Sequence, residues 1–496
     1  MPFIEELKRW ATNRGERTAV VVGEQRLDYA QLLLAAKSHV RSTQTDGTAS
    51  VALVDAQSST ELAVEFCSAV LAGTTVMVLD AQWPVGLRSE LSRAASDWTA
   101  NQMPQDGAPT PFLLGLSSGT SGLPKAFARS AASWHESFIR SAEYFDVGPD
   151  SVTLAPGPMA ASMNLYALGE SIFAGATFVA LPQFTPDTAL KAIADNRVNR
   201  LVLVPTVLGL IAARGMATGK SGHRIRSIVC AGSELPEATH ALAREWAPNA
   251  IIQQYYGAAE LGFVAAATVA KPPAMVEQAS TEPAATEQEG VGTAFPGARI
   301  SIRDEECMEL GRGQQGDVWV AGPYPCDGYA WGDDGLAFRS EILVSSGGSS
   351  EAWYTVRDQG FLDSGDRLHL AGRASDMVII SGVNVYPHHV EQTLLGAARG
   401  ASIAHEPEAK PDAMTVIVAG IADEVRGKRL VAGICMAPLA VPIDAVRQAA
   451  RQLPAPQRPS QYFELSTLPL TGSGKISRAI LAQWITEGDA RAKRLH

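Results

Sequence analysis

Cysteine is scarce and irregularly placed in this chain. Cys67, Cys230, Cys307, Cys326 and Cys435 are the five cysteines among 496 residues. Their number is odd and none stands in a Cys-x-x-Cys spacing, so neither a disulfide frame nor a cysteine zinc site is expected. Basic residues are outnumbered too: 41 Lys and Arg face 52 Asp and Glu, a net charge of −11. That balance argues against a nucleic-acid partner, which asks for a basic face. A small anion needs only a local cradle. Long apolar runs are missing; Ala63 to Leu79 comes nearest to a membrane span and carries Glu65. Met1 to Trp10 reads as the start of an amphipathic helix without the apolar core of a signal peptide. These absences predict a reduced, cytoplasmic protein with no membrane and no nucleic-acid partner.

What is present is enough for at least two domains with sizeable cores. Hydrophobic content of 46% and charged content of 19% describe an ordinary globular chain. Thr18 to Val22 and Arg26 to Tyr29 read as a hairpin, followed by a helix over Ala30 to Val40. Strands at Ser50 to Val54 and Thr75 to Leu79 flank a helix at Ser59 to Ala72. The alternation resumes at Val152 with strands near 152–155, 177–181, 201–204, 225–230 and 251–254, and helices between them. Such alternation predicts parallel βαβ units, which bind ligands beyond the carboxyl ends of their strands. Lys271 to Glu289 is rich in Pro, Ala, Glu and Thr and predicts an exposed loop, 270–289. Gly292 to Arg303 and Gly316 to Gly322 read as strands of a more antiparallel, β-rich subdomain. The predicted class is therefore α/β. A large domain, 1–373, holds parallel-rich sheets and the β-rich subdomain. A small mobile α+β domain, 374–496, follows, about 120 residues and a normal domain size.

The stretch from Leu114 to Lys125 organises the rest. Phe112 to Leu116 makes a short buried strand, and Ser130 is placed to cap a helix running through Trp134. Between them lie Ser117, Ser118, Gly119, Thr120, Ser121, Gly122 and Lys125. Glycines allow backbone N–H groups to turn inward around an anion. Hydroxyls add donors for phosphate oxygens, and the lysine supplies a point charge. A flexible Gly/Ser linker would not carry Leu123-Pro124 and a flanking apolar strand. The spacing also fails the Walker A pattern, which excludes an ordinary P-loop. Further along, Ile251 to Gly262 runs from a strand into a Gly turn and then a carboxylate. An aromatic at a strand end offers a flat face to a base, and a carboxylate can hold Mg²⁺.

These residues resemble the acyl-adenylate-forming superfamily, which includes acyl-CoA synthetases, peptide-synthetase adenylation domains, luciferases and some amide synthetases. Ser117 to Lys125 matches every fixed position of its phosphate loop. The resemblance extends to Tyr256, Gly257 and Glu260 in the Tyr-Gly-x-Thr/Ser-Glu motif, with Ala259 where a hydroxyl residue is usual. It implies that Tyr256 stacks on adenine and that Glu260 binds Mg²⁺. Gly232 and Ser233 fall on the adenine-edge loop. Asp358 falls on the ribose-binding aspartate, with Arg357 in place of a glycine. Arg373 falls on the hinge arginine and Ser375 on the pivot. Lys475, in Gly-Lys-x-x-Arg, falls on the catalytic lysine. Ile380 to Glu391 resembles the loop that acyl-CoA synthetases bring in for thioester formation, with Gly382 leaving room for a pantetheine arm.

The resemblance implies that ATP with Mg²⁺ activates a carboxylic acid and releases pyrophosphate, Glu260 and Lys475 doing the catalysis. CoA is the expected acceptor, and an amine is the alternative. A degenerate, non-enzymatic nucleotide-binding relative is a third reading, opposed by the presence of both Lys475 and Glu260. A peptide-synthetase domain is less expected because no carrier domain follows. Family pockets place Met159, Met163, Tyr166, Ala231, Tyr255 and Phe263 around the acid, an apolar set suited to an aryl or medium alkyl acid. No lysine or arginine stands out as partner for a second carboxylate. Ala161 and Ser162 stand where many relatives gate the acceptor tunnel with a His or an aromatic. His388, His389 and Glu391 read as a solvated helix face in preference to a metal site. Arg426, Lys428 and Arg429 read as a surface cluster.

Overall fold

The computed structural model describes residues 1–43, 51–101, 110–117, 123–272, 290–333, 335, 338–344, 350–373, 378–380, 383–395, 415–423, 427–435, 443–471 and 475–495. Of the expected exposed loop, 270–289, Ala270 ends the strand Gly262–Ala270 and residues 273–289 lie outside the described residues, as do Ser118, Gly119, Thr120, Ser121, Gly122, Ser375 and Gly382.

Five described sheets carry the chain. The largest has nine strands. Its parallel centre joins Ile251–Ala258, Ser227–Ala231, Arg200–Leu203, Val152–Leu154, Thr177–Ala180 and Thr18–Val22. Antiparallel strands close both edges: Gln25–Asp28 on one side, Gly262–Ala270 with Thr293–Ala294 on the other. The centre is buried through and through, as in Arg200–Leu203, where apolar 201–203 follow an arginine paired with Glu170 at 2.8 Å, because helices cover both faces. A second sheet of five strands runs in the order Gly328–Trp331, Lys125–Arg129, Leu113–Ser117, Val76–Val78, Ala52–Val54. A third, of six strands, is antiparallel and spans Arg299–Arg303 to Leu368–Arg373. Beyond Val378 the described strands form a two-stranded and a four-stranded sheet, the latter from Thr415–Asp423, Gly427–Cys435, Gln461–Leu465 and Ala492–Leu495.

Helices Thr60–Ala72, Ala131–Tyr144 and Ser162–Ala174 contribute to one apolar core shared with the two larger sheets. Ser59 and Ser130 accept from the backbone N–H three residues on, satisfying donors that a helix start leaves open. Phe66, Phe112, Phe138 and Phe178 are fully buried there, each contributing roughly 2 kcal/mol by removal from water. The core continues through Trp134, Phe138 and Tyr166 to Phe263, which stacks on Phe295 with ring centroids 4.4 Å apart. That aromatic column reaches the carboxyl ends of the strands, where the motifs collect.

Two expectations need correction. The loop after Phe112–Leu116 does not run directly into the helix capped by Ser130. A strand, Lys125–Arg129, comes first and pairs antiparallel with Leu113–Ser117, placing Lys125 opposite Ser117. The stretch at Ile251 does not turn at Gly257. It stays extended to Ala258, and Gly262–Ala270 returns alongside it. None of the five cysteines is in a disulfide, and no described helix is long and apolar enough to cross a membrane.

Candidate active site

Strand pairing builds the expected phosphate side. Ser117 and Lys125 are neighbours across the hairpin. Gly328–Trp331 adds to the Lys125–Arg129 edge, so the Tyr329 ring lies under the Lys125 ammonium, 5.5 Å from Nζ to centroid. Trp331 Nε1 donates to the Pro124 carbonyl at 3.0 Å and so anchors the end of the segment. The Tyr329 hydroxyl donates to Glu260 Oε1 at 2.9 Å. Burial, together with the Glu260 charge, pushes this phenol well above its ordinary range and keeps it a donor.

Arg129 was not foreseen. It is 3% exposed. Its guanidinium donates to the carbonyls of Ala259 at 2.6 Å and Glu260 at 3.3 Å, and to that of Tyr324. Burial pulls it below the usual guanidinium range. The effect is to fix the backbone of the turn that presents Glu260. At Ala259, where a hydroxyl was expected, it is the carbonyl that is held. Glu260 itself is 8% exposed. Among the described residues no three His, Cys, Asp or Glu side chains stand close enough to hold a metal alone. A hard cation beside Glu260 would therefore draw its remaining oxygens from a phosphate ligand and water, as Mg²⁺ ordinarily does.

On the expected nucleoside side, the Tyr256 hydroxyl donates to Asp358 Oδ2 at 2.5 Å. Asp358 is 4% exposed and starts the strand Asp358–Leu362. Its register partner is Arg373, at the end of Leu368–Arg373. Arg357, before Asp358, has φ of +61°. That left-handed conformation explains why a glycine suits this place. Its N–H donates to Thr355 Oγ1 at 2.9 Å, which holds the turn.

Gly232 and Ser233 follow the strand Ser227–Ala231 and are exposed. Gly232 has φ of +87°, and a methyl group on its Cα would stand 2.8 Å from Lys475 Cε and 3.3 Å from Nζ. The lysine motif is thus laid on the loop beside Gly232. Its own turn is held by Thr471, whose N–H donates to the Lys475 carbonyl at 2.7 Å and whose Oγ1 accepts from the Lys475 N–H at 3.1 Å.

The expected acid-pocket residues fall in two groups. Ala231 is the parallel neighbour of Tyr255, and the Tyr255 ring packs 4.7 Å from Phe263. Tyr166 meets Phe263 edge-on at 5.4 Å, with its hydroxyl tied to Ser137 and Ser141 at 3.0 Å each. Met159 is fully buried, and its N–H donates to Ser58 Oγ at 3.0 Å. Met163 is half-buried, one turn before Tyr166. Ala161 is the N-cap and Ser162 the first residue of the helix Ser162–Ala174. His388 and Glu391 are not a freely solvated face: His388 meets Glu234, and Glu391 pairs with Arg478 at 2.6 Å. Arg429 lies 3.7 Å from Asp423.

Comparison with known proteins places this geometry. Residues 37–330, more than half of the chain, match the family described as AMP-binding enzyme. An uncharacterised acyl-CoA ligase of Bacillus subtilis is 29% identical over 409 residues, covering 82% of this chain and 76% of that protein. The o-succinylbenzoate CoA synthetase of Bacillus subtilis has the same fold, with a TM-score of 0.74, 20% identity and coverage of 100% of this chain and 99% of that one. It has been solved with its acyl-adenylate intermediate, with AMP, and with ATP and magnesium. An amide bond synthetase from Marinactinospora thermotolerans also has this fold, with a TM-score of 0.74, 23% identity and coverage of 98% and 100%.

Proposed function

Because the chain belongs to the AMP-binding enzyme family, we propose that it is an ATP-dependent carboxylic acid ligase. It forms an acyl-adenylate, releases pyrophosphate and passes the acyl group to the thiol of CoA. The observation that carries this reading is the placement of Lys475 on Gly232. The nucleoside pair Tyr256–Asp358 and the buried carboxylate Glu260 complete the set.

The chemistry follows from charge. An acid carboxylate and the α-phosphate of ATP repel each other, and a cation between them lowers the barrier as negative charge concentrates. Lys475 supplies that cation. Asp358 accepts from the ribose hydroxyls, a task for a two-oxygen acceptor. The Tyr256 ring stacks on the base, with Gly232, Ser233 and Gly257 along its edge. Ser117 to Lys125 hold the β- and γ-phosphates. Glu260 would hold Mg²⁺, which neutralises charge on the departing pyrophosphate. Most of the rate enhancement is positioning.

The division at 373/374 then has a purpose. Rotation about Ser375 withdraws Lys475 and brings in the segment containing Gly382 for acyl transfer. Tyr166, Ala231, Tyr255, Phe263, Met159 and Met163 surround the acid, and their apolar surfaces suit an aryl or medium alkyl chain. A second reading, transfer to an amine, is favoured by the small side chain of Ala161 at the cap of Ser162–Ala174. A reaction that draws on ATP and CoA suits the cytoplasm.

The test is product mass spectrometry. Protein and MgATP are incubated with a panel of aryl and alkyl acids, with CoA in one tube and mixed amines in another. Thioester formed only with CoA supports the ligase. Amide formed without thiol replaces it with the second reading, and absence of AMP and pyrophosphate with every acid refutes both.

A further inference from the structure

A second contact with the Gly232 loop is made two residues past Gly232, at Glu234. Glu234 Oε2 lies 3.1 Å from His388 Nε2 and accepts from Gln392 Nε2 at 2.8 Å. His388 and Gln392 are four apart on the helix 387–395, so both face the same way. Behind them, Glu391 Oε2 lies 3.6 Å from His388 Nδ1. The same carboxylate accepts from the Val418 N–H at 2.8 Å and from Arg478 Nε and Nη2 at 3.0 and 2.6 Å. Arg478 opens the helix Arg478–Glu487, three residues after Lys475. Charges therefore alternate along one line: Glu234, His388, Glu391, Arg478. One end is the loop beside Gly232 and the other is the segment that carries Lys475.

We propose that Glu234 is a positioning residue for the adenylation step: by holding His388 and Gln392 it latches the C-terminal part so that Lys475 lies on Gly232, and the latch opens before acyl transfer. The inference rests on the two-step reaction above. Glu234 precedes Ser375 in the chain and helix 387–395 follows it, so rotation about Ser375 breaks this contact. Glu391 and Arg478 both follow Ser375 and travel together.

The groups that bear on His388 are Glu234 from the N-terminal part and Glu391 from its own helix, with Gln392 Nε2 3.2 Å from its Nε2; Arg478 stands behind Glu391, and Tyr386 and His389 line the same cavity as His388. The hydrogen bond to Glu234, then that to Glu391, raises the imidazole to about 9. Burial alone would raise Glu391, but His388, Arg478 and the Val418 N–H together hold it below the usual carboxylate range. A raised histidine is charged below its shifted value. The latch is complete at neutral pH and is lost as pH rises through about 9.

The test compares wild type, Glu234→Ala, Glu234→Gln and His388→Gln in two assays. One is pyrophosphate release with acid and MgATP but no acceptor. The other is acyl transfer from synthetic acyl-adenylate. Partly exposed charge pairs contribute modestly, so Glu234→Ala is expected to lower the adenylation rate roughly tenfold, with KM for ATP unchanged and transfer intact. Glu234→Gln recovers part of the loss. Wild-type adenylation declines through about pH 9, and His388→Gln lacks that decline. In parallel, hydrogen exchange of the substrate-free protein should quicken at 232–236 and 387–395 in Glu234→Ala. Equal loss in both assays, no loss in either, or an alkaline decline retained in His388→Gln overturns the proposal. So does unchanged exchange. If wild type itself releases no pyrophosphate with any acid, the two-step reading fails, and exchange still reports whether the contact exists.

Discussion

Tyr256 and Asp358 stand 102 positions apart in the chain, yet the phenol donates to the carboxylate at 2.5 Å. The central parallel sheet supplies one partner and the antiparallel β-rich sheet the other. This bond joins the two layers at the proposed nucleoside site. It also orients Asp358, which is 4% exposed.

Removing each partner should cost differently. Tyr256→Phe keeps the ring and loses one charge-assisted hydrogen bond, so KM for ATP should rise about fivefold to tenfold. Asp358→Ala removes the acceptor itself and should raise it about a hundredfold. Steady-state adenylation with ATP varied checks both. Equal effects would place the role of Tyr256 in its hydroxyl alone.

Arg129 should matter more to the fold than its distance from the reacting atoms suggests. Its guanidinium is the donor to the carbonyls of Ala259, Glu260 and Tyr324. Arg129→Met leaves those acceptors buried without it, a cost of about 3 kcal/mol. Arg129→Lys offers a compact point charge in place of a planar fork and should recover less than half of it. Urea unfolding measures the stability, and pyrophosphate release should fall about a hundredfold in Arg129→Met as Glu260 loses its fixed turn.

Arg357 invites the opposite experiment. A non-glycine residue at φ +61° carries roughly 1 kcal/mol of strain. Arg357→Gly should therefore raise stability by up to about 1 kcal/mol, whereas Arg357→Val should lower it by about 1–2 kcal/mol. Unfolding midpoints at constant m-value decide. A loss in Arg357→Gly would mean that the attraction of Arg357 to the buried Asp317 outweighs the strain.

Much of this architecture was legible in the sequence. The parallel strands declared themselves through β-branched runs, and Ser59 and Ser130 marked helix starts because a hydroxyl there satisfies a backbone donor. The motif residues Gly232, Tyr256, Glu260, Asp358 and Lys475 were named through the resemblance to the acyl-adenylate-forming superfamily, which residue type and spacing alone would not have carried. The strand Lys125–Arg129 was not, because five residues with a charge at each end carry no alternation. Its extended form is imposed by pairing with Leu113–Ser117 and Gly328–Trp331. Arg129 was missed for a related reason: an arginine whose partners are backbone carbonyls leaves no carboxylate in the sequence to point to it. The extension of Ile251–Ala258 past Gly257 comes from Gly262–Ala270 lying alongside. His388 resembled a solvated residue because its partner, Glu234, is 154 positions away.

Lys475→Ala tests the central claim most directly. Two rates are needed from one variant: adenylate formation from acid and MgATP, and acyl transfer from synthetic acyl-adenylate. Removal of the only cation assigned to the reacting centre should lower the first about a thousandfold and leave the second within about twofold. Equal loss of both rates, or retention of both, would contradict the assignment of Lys475 to adenylation and the two-step account built on it.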